Sequence, residues 1–434
     1  MATKPGQFLR EKRIIVAGGG IAGLAFVAAL NQLWDPSLKR PEVTVFEREN
    51  REASIQKDHY MLTLNGGNQD EGLVALQQLG LLDDILAHST LNSGAIRVWG
   101  DNWKELASIN PQPYGDLPAA TMRITRQDLK RILVENAEKA NASWRWTCTC
   151  TAAERLSSGQ IRVTISDTEA GYTLTQDCDL LIAADGANSR IRASFRSHDM
   201  KWDYAGATQI GGISHLPNGL PHPVHEDYGL QMSSGEGVCC IYTPFDKETI
   251  GWALSRVEPE REAKTWPFTP EDLASLKREA LKTGSMFSEP FRTVVEATDP
   301  ATAFIRPAKE KQPFQHDSRL QGVVFIGDAN HVLSPYEFVG ANLALKDGWD
   351  LAEQICRNVS MEAAVAAYDK LSVRRAEHTI KHSHERIGFG HSTGFKWKVY
   401  KYGMAAQRAM AKRTHYERFL SAAMSSDLVR TVPA

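Results

Sequence analysis

Three glycines and an acid near the start of the chain have the types and spacing of a dinucleotide site. Gly18, Gly20 and Gly23 complete G-x-G-x-x-G within "KRIIVAGGGIAGLAFVAALNQL". The first glycine of such a motif makes a tight turn, the second admits backbone close to a pyrophosphate, and the third lets helix and strand pack closely. Glu47 ends a second apolar stretch, "EVTVFE", where a carboxylate can bind a ribose hydroxyl. The pattern predicts an adenine dinucleotide but does not separate NAD from FAD.

The elements that must position these residues lie in the same segment. Residues 13–17 form a short apolar stretch that predicts a strand, and residues 24–33 favour a helix. The glycines would therefore join a strand to a helix N-terminus, which faces the phosphates. The candidate ligand contacts that complete this turn are Ile21 and Ala22.

A second helix is predicted over residues 124–140. Thr125 is its expected N-cap, and Asp128 follows three residues on, as in a capping box. Arg126 lies in the first turn, where a cation opposes the helix dipole. A phosphate partner would explain Arg126, and a solvated surface arginine is the alternative.

Two later segments place polar residues at the ends of apolar strands. "DLLIAADGANSRIR" ends its strand in Asp185-Gly186 and continues to Ser189 and Arg192. "GDANHVLSPYEFVGANLAL" sets Asp328 at the tip of another apolar strand, and a predicted helix follows. Asp-Gly alone predicts only a turn. A helix N-terminus after a buried strand, however, favours an anionic ligand.

Together and in this order, the three motifs resemble those of the class A flavoprotein monooxygenases, the p-hydroxybenzoate-hydroxylase-like family, over about residues 12–355. The resemblance implies non-covalent FAD. It implies that Asp328 binds the ribityl hydroxyls, that Glu47 binds the adenosine ribose and that Arg126 contacts the pyrophosphate. It implies that Asp185, with the glycine after it, shapes the dinucleotide site. The residues whose backbone would face the pyrimidine edge of the flavin are Gly340, Ala341 and Asn342.

The same resemblance implies an FAD-dependent monooxygenase. NAD(P)H would bind transiently and reduce the flavin. The position of Arg48, just past the acid at the strand end, makes it a candidate phosphate contact for NAD(P)H, and a surface arginine is the alternative. O2 would then form a flavin hydroperoxide that transfers one oxygen atom to an organic substrate, aromatic or polycyclic and of the secondary-metabolite kind. One alternative keeps the fold but changes the reaction: a Baeyer–Villiger or epoxidising oxygenase, or a flavin dehydrogenase or oxidase. Another alternative is a flavin-binding module without turnover. No catalytic side chain is assigned, because the cofactor carries the chemistry.

Within the family, "FERENREASI", "RQDLKRIL" and "EGLVALQQLGLL" most resemble the tetracycline-inactivating monooxygenases. Two positions depart from that branch, since Ser54 stands where those enzymes have a flavin-contacting arginine and Gly211 falls near a substrate-contacting glutamine. Tetracycline is therefore not the expected substrate. Phe338 is a further departure, because it replaces the first glycine of the family loop P-x-x-G-x-G-x-N. Its ring would either pack into the core or lie beside the flavin ring system.

The expected fold is α/β, with a discontinuous Rossmann-like FAD-binding domain, an inserted antiparallel sheet and C-terminal helices. The FAD-binding pieces would be 1–85, 114–197 and 300–365. The sheet, which would bind substrate, would comprise 86–113 and 198–299, and 366–434 would be a C-terminal helical segment. The aromatic residues that could be either pocket walls or core in the sheet are Trp99, Trp103, Tyr242, Phe245 and Trp252.

Composition narrows the partners. The 434 residues contain 50 Lys and Arg against 52 Asp and Glu, a net charge of -2, without the basic excess of nucleic-acid-binding proteins. The six cysteines show neither C-x-x-C nor zinc spacing, so no metal is expected.

No signal peptide and no apolar run of about 18 residues is present, so we expect a cytoplasmic protein without a membrane span. The basic stretch "KWKVYKYGMAAQRAMAKR" could touch a membrane surface or be a solvated helix face. The expected partners are a small organic substrate and O2, and the oligomeric state stays open.

Overall fold

The computed structural model describes residues 4–57, 60–89, 95–225, 228–265, 267–336, 339–406 and 408–410. Phe338 lies outside the described residues, and so does the expectation about its ring. The part of the expected C-terminal helical segment that follows residue 410 also lies outside them.

The strands of the described residues are numbered in chain order. They are β1 (Arg13–Ala17), β2 (Glu42–Phe46), β3 (Met61–Asn65), β4 (Ile96–Trp99), β5 (Glu105–Ile109), β6 (Thr121–Thr125), β7 (Ala142–Arg145), β8 (Cys148–Arg155), β9 (Ile161–Asp167), β10 (Tyr172–Cys178), β11 (Leu180–Ala183), β12 (Asp203–His215), β13 (Tyr228–Met232), β14 (Val238–Pro244), β15 (Thr249–Val257), β16 (Phe304–Glu310) and β17 (Val323–Phe325).

The helices are numbered in the same way. They are α1 (Ile21–Leu33), α2 (Arg51–Gln56), α3 (Gly72–Gln78), α4 (Leu82–His88), α5 (Arg126–Glu138), α6 (Arg190–Phe195), α7 (Pro270–Thr283), α8 (Phe291–Glu296), α9 (Gly340–Arg357) and α10 (Met361–Gly390). Residues 394–406 are also helical. No helix of the part of the chain that the structure describes is long and apolar enough to cross a membrane.

The chain divides into two compact units. Unit 1 comprises residues 1–92, 111–205 and 308–386, and unit 2 comprises 93–110, 206–307 and 387–434. The division differs from the boundaries expected from the sequence, most of all at residues 366–386. These residues belong to α10, which bonds to α9 within unit 1: Ser372 Oγ donates to Asp347 Oδ1 at 2.9 Å. The assignment of FAD and substrate binding to particular segments stays a prediction.

Unit 1 is built on a parallel sheet in the order β17-β11-β1-β2-β7. Side chains alternate across it, as the pleat of a strand requires. Ile14 and Val16 of β1 point to a core formed with α1, α5 and α9. Ile15 and Ala17 point to the opposite core, formed with the antiparallel sheet β10-β9-β8. This layering confirms the α/β, Rossmann-like expectation.

The strand order of unit 1 also explains where a ligand can approach. Parallel strands end at a common edge of the sheet, and ligands of such folds bind outside their carboxyl ends. The carboxyl ends of β1, β2, β11 and β17 are followed by Gly18, Glu47, Asp185 and Asp328 in turn. Residues that are far apart in sequence thus end up at one edge of one sheet.

Unit 2 contains a seven-stranded sheet in the order β16-β12-β15-β14-β13-β4-β5. Most of its pairs are antiparallel, as expected, but β13 and β4 run parallel, with Tyr228 opposite Ile96. A parallel pair needs a long crossover, and here the chain between the two strands passes through unit 1. Helices α7 and α8 cover a core on this sheet that includes Tyr242, Trp252 and Phe291.

Candidate functional site

The glycine turn after β1 has the geometry that the motif predicts. Gly18 has φ +111°, and a Cβ there would lie 2.3 Å from the Ala184 carbonyl oxygen. A Cβ on Gly23 would lie 2.2 Å from the carbonyl oxygen of Gly18. At Gly20 the nearest atom to such a Cβ is 3.9 Å away. Two of the glycines are therefore required by the protein's own packing, whereas the third leaves room beside the start of α1.

The first turn of α1 carries no competing acceptor. Its N-cap is Gly20, which offers no side chain, and no acid lies in the first turn. Ala22 is buried and Ile21 is partly exposed. Since the first N–H groups of a helix lack partners within the helix, they are oriented to receive an anion from outside.

Glu47 and Lys130 form hydrogen bonds with the backbone of Gly19, the residue between the first two glycines of the motif. The Gly19 N–H donates to Glu47 Oε2 at 2.9 Å, and the Lys130 ammonium donates to the Gly19 carbonyl. Glu47 Oε1 also accepts from the Glu49 N–H at 3.2 Å. The peptide in the glycine turn is thus fixed by an acid from β2 and a base from α5.

The sequence motifs do not include Lys130. The signal available for it is a lysine set on the apolar face of α5, beside Leu129 and Leu133. Lys130 is only 2% exposed. Burial disfavours the charged ammonium and lowers the pKa of Lys130 to about 8, against the opposing charge of Glu47.

Lys130 makes the stability of the protein rise with pH in an alkaline window. The unfolded lysine titrates near 10.4, so between about pH 8 and pH 10.4 the unfolded chain binds more protons than the folded one. The free energy of unfolding should gain up to about 1.4 kcal/mol per pH unit from this residue across that window. Urea denaturation of the parent and of Lys130→Met at several pH values measures the difference, which cancels the other titrating groups. A difference that stays constant from pH 7 to pH 10 would contradict a charged, buried Lys130.

The two arginines predicted to contact phosphates differ in their surroundings. Arg126 follows the N-cap Thr125, whose side chain accepts from Asp128 N–H, and its guanidinium donates to the Lys57 carbonyl at 2.9 Å. Arg48 has a side chain that is 64% exposed and pairs with Glu49 at 3.4 Å. Both phosphate contacts stay predictions.

The Asp-Gly motif after β11 forms a structural link as well as a turn. Ser189 caps α6 by accepting from the Arg192 N–H at 2.9 Å. The buried Arg192 guanidinium donates to the carbonyls of Ala187 at 2.6 Å and Ala329 at 2.9 Å. The second motif is therefore tied to the backbone of the third.

Asp185 carries an unmatched oxygen within this link. Its Oδ2 accepts from the Ile191 N–H at 3.1 Å, whereas its buried Oδ1 has no partner among the described residues. Burial raises the pKa of Asp185 above its usual range. A buried polar atom without a partner is uncommon in a folded protein and is a feature of ligand sites.

Asp328 follows β17 at the carboxyl edge of the parallel sheet. Its side chain is reached by solvent, yet the surrounding protein desolvates it enough to raise its pKa, against the opposing influence of His331. None of the hydrogen bonds recorded for the described residues uses its carboxylate. An accessible but partly desolvated carboxylate without a protein partner is oriented toward a ligand.

Asp347 organises the loop that carries Asp328. It is fully buried and accepts from the Gly327 N–H at 2.9 Å, from His331 Nε2 at 2.8 Å and from the Arg375 guanidinium at 3.0 Å. Burial alone would raise its pKa, but His331 and Arg375 outweigh burial and hold the pKa of Asp347 far below its usual range. The signal in the sequence is an acid inside the apolar pattern of α9, which the three motifs do not cover.

Asn342 lies at the start of α9 and explains why an amide stands between apolar neighbours. Its Oδ1 accepts from the Asn65 N–H at 2.8 Å and the Gly72 N–H at 3.2 Å, and its Nδ2 donates to the Thr63 carbonyl at 2.8 Å. The side chain thus joins α9 to β3 and α3. No side chain caps α9 at Val339 or Gly340, so its first N–H groups remain available to a ligand.

The aromatic residues singled out in unit 2 are buried or half-buried, and Trp103 packs against the core. Trp99, Tyr242 and Trp252 are buried, and Trp252 Nε1 donates to Thr298 Oγ1 at 3.0 Å. A Cβ on Gly211 would lie 2.2 Å from the Trp252 carbonyl, so no glutamine fits at that position. This departure from the tetracycline-inactivating branch is built into the packing of the sheet.

The described residues were compared with the side-chain groups that bind metal ions. No cluster of three or more His, Cys, Asp or Glu in the described parts of the chain could hold a metal ion. The cysteines are unpaired, and burial raises the pKa of Cys239 to about 12. Such thiols behave as small apolar side chains.

Comparison with known proteins agrees with the geometry of unit 1. The family model described as "FAD binding domain" matches residues 12–383. The monooxygenase cfoF of Aspergillus candidus is 37% identical over 416 residues, which cover 95% of this chain and 99% of that protein. This relationship confirms the enzyme class, and the tetracycline-inactivating branch stays a prediction.

Two solved structures share the fold. HpxO of Klebsiella pneumoniae, in complex with FAD and uric acid, has a TM-score of 0.70 and 17% identity, covering 92% of this chain and 94% of that one. PqsL of Pseudomonas aeruginosa, in complex with 2-aminobenzoylacetate, has a TM-score of 0.69 and 18% identity, covering 91% and 99%. With the family match over most of its length, the chain belongs to the class A, p-hydroxybenzoate-hydroxylase-like FAD-dependent monooxygenases.

Proposed function

We propose that this enzyme binds FAD non-covalently at the carboxyl edge of the parallel sheet and inserts one oxygen atom from O2 into an aromatic or polycyclic substrate, with NAD(P)H as the transient reductant. The observation that carries the proposal is the Asp328 carboxylate, which is accessible and desolvated and has no hydrogen-bond partner among the described residues. It stands on a loop that Arg192 and Asp347 fix from two sides.

The residues of unit 1 fit FAD. Gly20 leaves space beside the uncapped start of α1, and Asp185 has a buried oxygen without a partner. Asp328 would accept hydrogen bonds from the ribityl hydroxyls, and Arg126 would contact the pyrophosphate. Glu47 already accepts from the Gly19 N–H, but a carboxylate has further lone pairs with which to accept from a ribose hydroxyl.

The start of α9 would complete the site. Backbone N–H groups at Gly340, Ala341 and Asn342 have no side-chain cap, and the positive end of the helix favours negative charge on the facing edge of a ligand. Bound FAD supplies reduction by NAD(P)H and activation of O2. The protein's part is to hold the cofactor, to orient the substrate and to exclude water.

Transient binding of the reductant needs little buried surface. Arg48 is largely exposed and lies directly after Glu47 at the end of β2. We propose it as a phosphate contact for NAD(P)H, because a cation at this position can be reached from solvent without displacing protein groups.

The proposed substrate class follows the molecules bound by the two structural neighbours. Uric acid is a planar heterocycle and 2-aminobenzoylacetate carries an aromatic ring. We therefore propose that this enzyme also takes a planar ring substrate. The kinship with a fungal monooxygenase over nearly the whole chain supports a secondary metabolite.

Isotopically labelled O2 tests the proposal. The FAD-loaded enzyme, NADPH and a panel of phenols, aromatic amines and polycyclic ketones should give at least one product that carries a single labelled oxygen. A product with an intact ring and a labelled hydroxyl group indicates hydroxylation. A labelled lactone indicates a Baeyer–Villiger oxygenase, and a labelled epoxide indicates an epoxidising oxygenase. If NADPH is consumed steadily but every compound yields only hydrogen peroxide, the enzyme is an oxidase and the monooxygenase proposal is wrong.

A further inference from the structure

The helical segment 394–406 of unit 2 is held to its unit through one face. Trp397 and Met404 are buried, with 5% and 7% exposure, in a small core with Val98 and Met232. Tyr400 lies on the same side, where its ring packs edge-on against Phe389 at a centroid distance of 5.0 Å. These positions are three and four residues apart and therefore share one helix face.

The opposite face of the same helix is also apolar. Phe395, Val399 and Tyr402 follow one another at spacings of four and three residues, so they too share a face. Their exposed fractions are 82%, 52% and 72%. We name these three side chains the exposed stripe. Single exposed apolar residues are ordinary on a protein surface, but an aligned set of this kind marks an interaction site.

Positive charge surrounds the exposed stripe. Residues 386–416 contain seven lysines and arginines and no aspartate or glutamate, although the whole chain has a net charge of -2. At about 100° per residue, Lys396 lies on one side of Phe395 and Lys398 on the other. A lysine therefore borders the stripe on each flank, and the Lys396 ammonium lies over the Tyr400 ring, 6.0 Å from its centroid. Arg408 holds the following turn to unit 2 by donating to the Glu105 carbonyl at 2.5 Å.

We propose that the exposed stripe docks on the surface of an anionic membrane. The apolar side chains would enter the boundary between headgroups and acyl chains, and the flanking lysines would lie among the lipid phosphates. The helix would lie in the plane of the surface, since its other face is already packed in unit 2. This proposal is independent of the flavin site.

The positive charge around the exposed stripe disfavours two other binding partners for it, a second copy of the chain and the segment after residue 410. A second copy would bring its own stripe with the same basic border, and the symmetric contact would set like charges together. The segment after residue 410 contains four lysines and arginines against two acids, so it is itself basic. A surface of anionic lipid is the occupant whose charge complements both flanks.

Co-sedimentation of the full-length holoenzyme with lipid vesicles tests the proposal. The enzyme should sediment with phosphatidylcholine vesicles that contain phosphatidylserine, much less with pure phosphatidylcholine, and less as salt is added. Val399→Ser/Tyr402→Ser should lower the partition coefficient at least about tenfold. The matched control is Val359→Ser/Tyr172→Ser, whose side chains are 52% and 51% exposed outside the stripe, and it should bind as the parent does.

A charge variant keeps the test decisive if the stripe variant fails to fold. Lys398→Gln removes a cation that flanks the stripe, leaves Lys396 and Tyr400 in place, and should lower binding by about fivefold. The proposal is wrong if the parent enzyme does not sediment with anionic vesicles. It is also wrong if the stripe variant and its control bind equally, or if sedimentation velocity shows a parent dimer that the stripe variant abolishes, since the occupant is then a second copy.

Discussion

Asp347→Ala should lower the free energy of unfolding by about 3–5 kcal/mol, the usual cost of removing one partner from a buried ion pair. Asp347 is completely buried, and its removal leaves Arg375 short of one of its two buried carboxylates and the Gly327 N–H without an acceptor. Urea denaturation of the apo protein at pH 7 measures the change. Asp317→Ala is the control: this exposed aspartate pairs with Arg319 and caps a single 3-10 turn, so its loss should cost no more than about 1 kcal/mol.

The effect of Asp347 should also depend on pH in a defined direction. Because the folded-state pKa of Asp347 lies below that of an unfolded aspartate, near 3.9, its contribution is complete above pH 4 and is lost as pH falls. The stability gap between parent and Asp347→Ala should therefore narrow in acid. A gap that is small at pH 7, or that widens below pH 4, would show that the carboxylate is not held charged by His331 and Arg375.

Asp328→Ala should weaken FAD binding roughly 10- to 150-fold, because hydrogen bonds to a charged group contribute about 1.5–3 kcal/mol. The apo protein should melt at the same temperature as the parent or slightly higher. The reason is that no described residue donates a hydrogen bond to the Asp328 carboxylate, and desolvation by the surrounding protein raises its pKa and so disfavours its charge. Fluorescence titration with FAD and thermal denaturation of the apo form measure the two effects.

The contrast between these effects separates a ligand-binding role from a structural one. Asp317→Ala again serves as the control for a removed carboxylate and should keep parental FAD affinity. Loss of apo stability in Asp328→Ala without a change in FAD affinity would remove Asp328 from the cofactor site and make it a structural residue of the loop.

Local pattern predicted the parts of the site that depend on backbone geometry. The spacing of Gly18, Gly20 and Gly23 reflects contacts within about ten residues and with the adjoining strand, and the structure reproduces the close approaches at the first and third glycine. The short apolar stretch 13–17 likewise predicted a strand, and the structure buries this strand on both faces. The approach of Gly23 to Gly18 has a local cause, whereas Gly18 approaches Ala184, which is far away in the sequence and follows a neighbouring strand of the sheet.

The residues that the motifs leave out act over long sequence distances. Lys130 is 111 residues from Gly19, and Arg375 is 28 residues from Asp347 on a different helix. A buried charge in an apolar helix pattern shows that a partner must exist, but the sequence does not say which one. The parallel pairing of β4 with β13 has the same cause, because the chain between them forms part of another unit.

Asn342 shows how a motif residue can have a different cause from the one its position suggests. Its place beside the expected flavin edge predicts a ligand contact through the backbone, whereas its side chain binds the backbones of β3 and α3. Arg192 is a similar case, since it joins two motifs to each other. Residues of such motifs can therefore build the loops that hold a cofactor without touching the cofactor through their side chains.

The flavin content of the purified protein tests the central claim most directly. The protein should be yellow, with the absorption spectrum of an oxidised flavin, and acid should release FAD in an amount equimolar with the chain. If the cofactor is lost on purification, added FAD should restore the spectrum and raise the melting temperature of the apo protein. A folded, colourless protein that neither takes up added FAD nor gains stability from it would contradict the account.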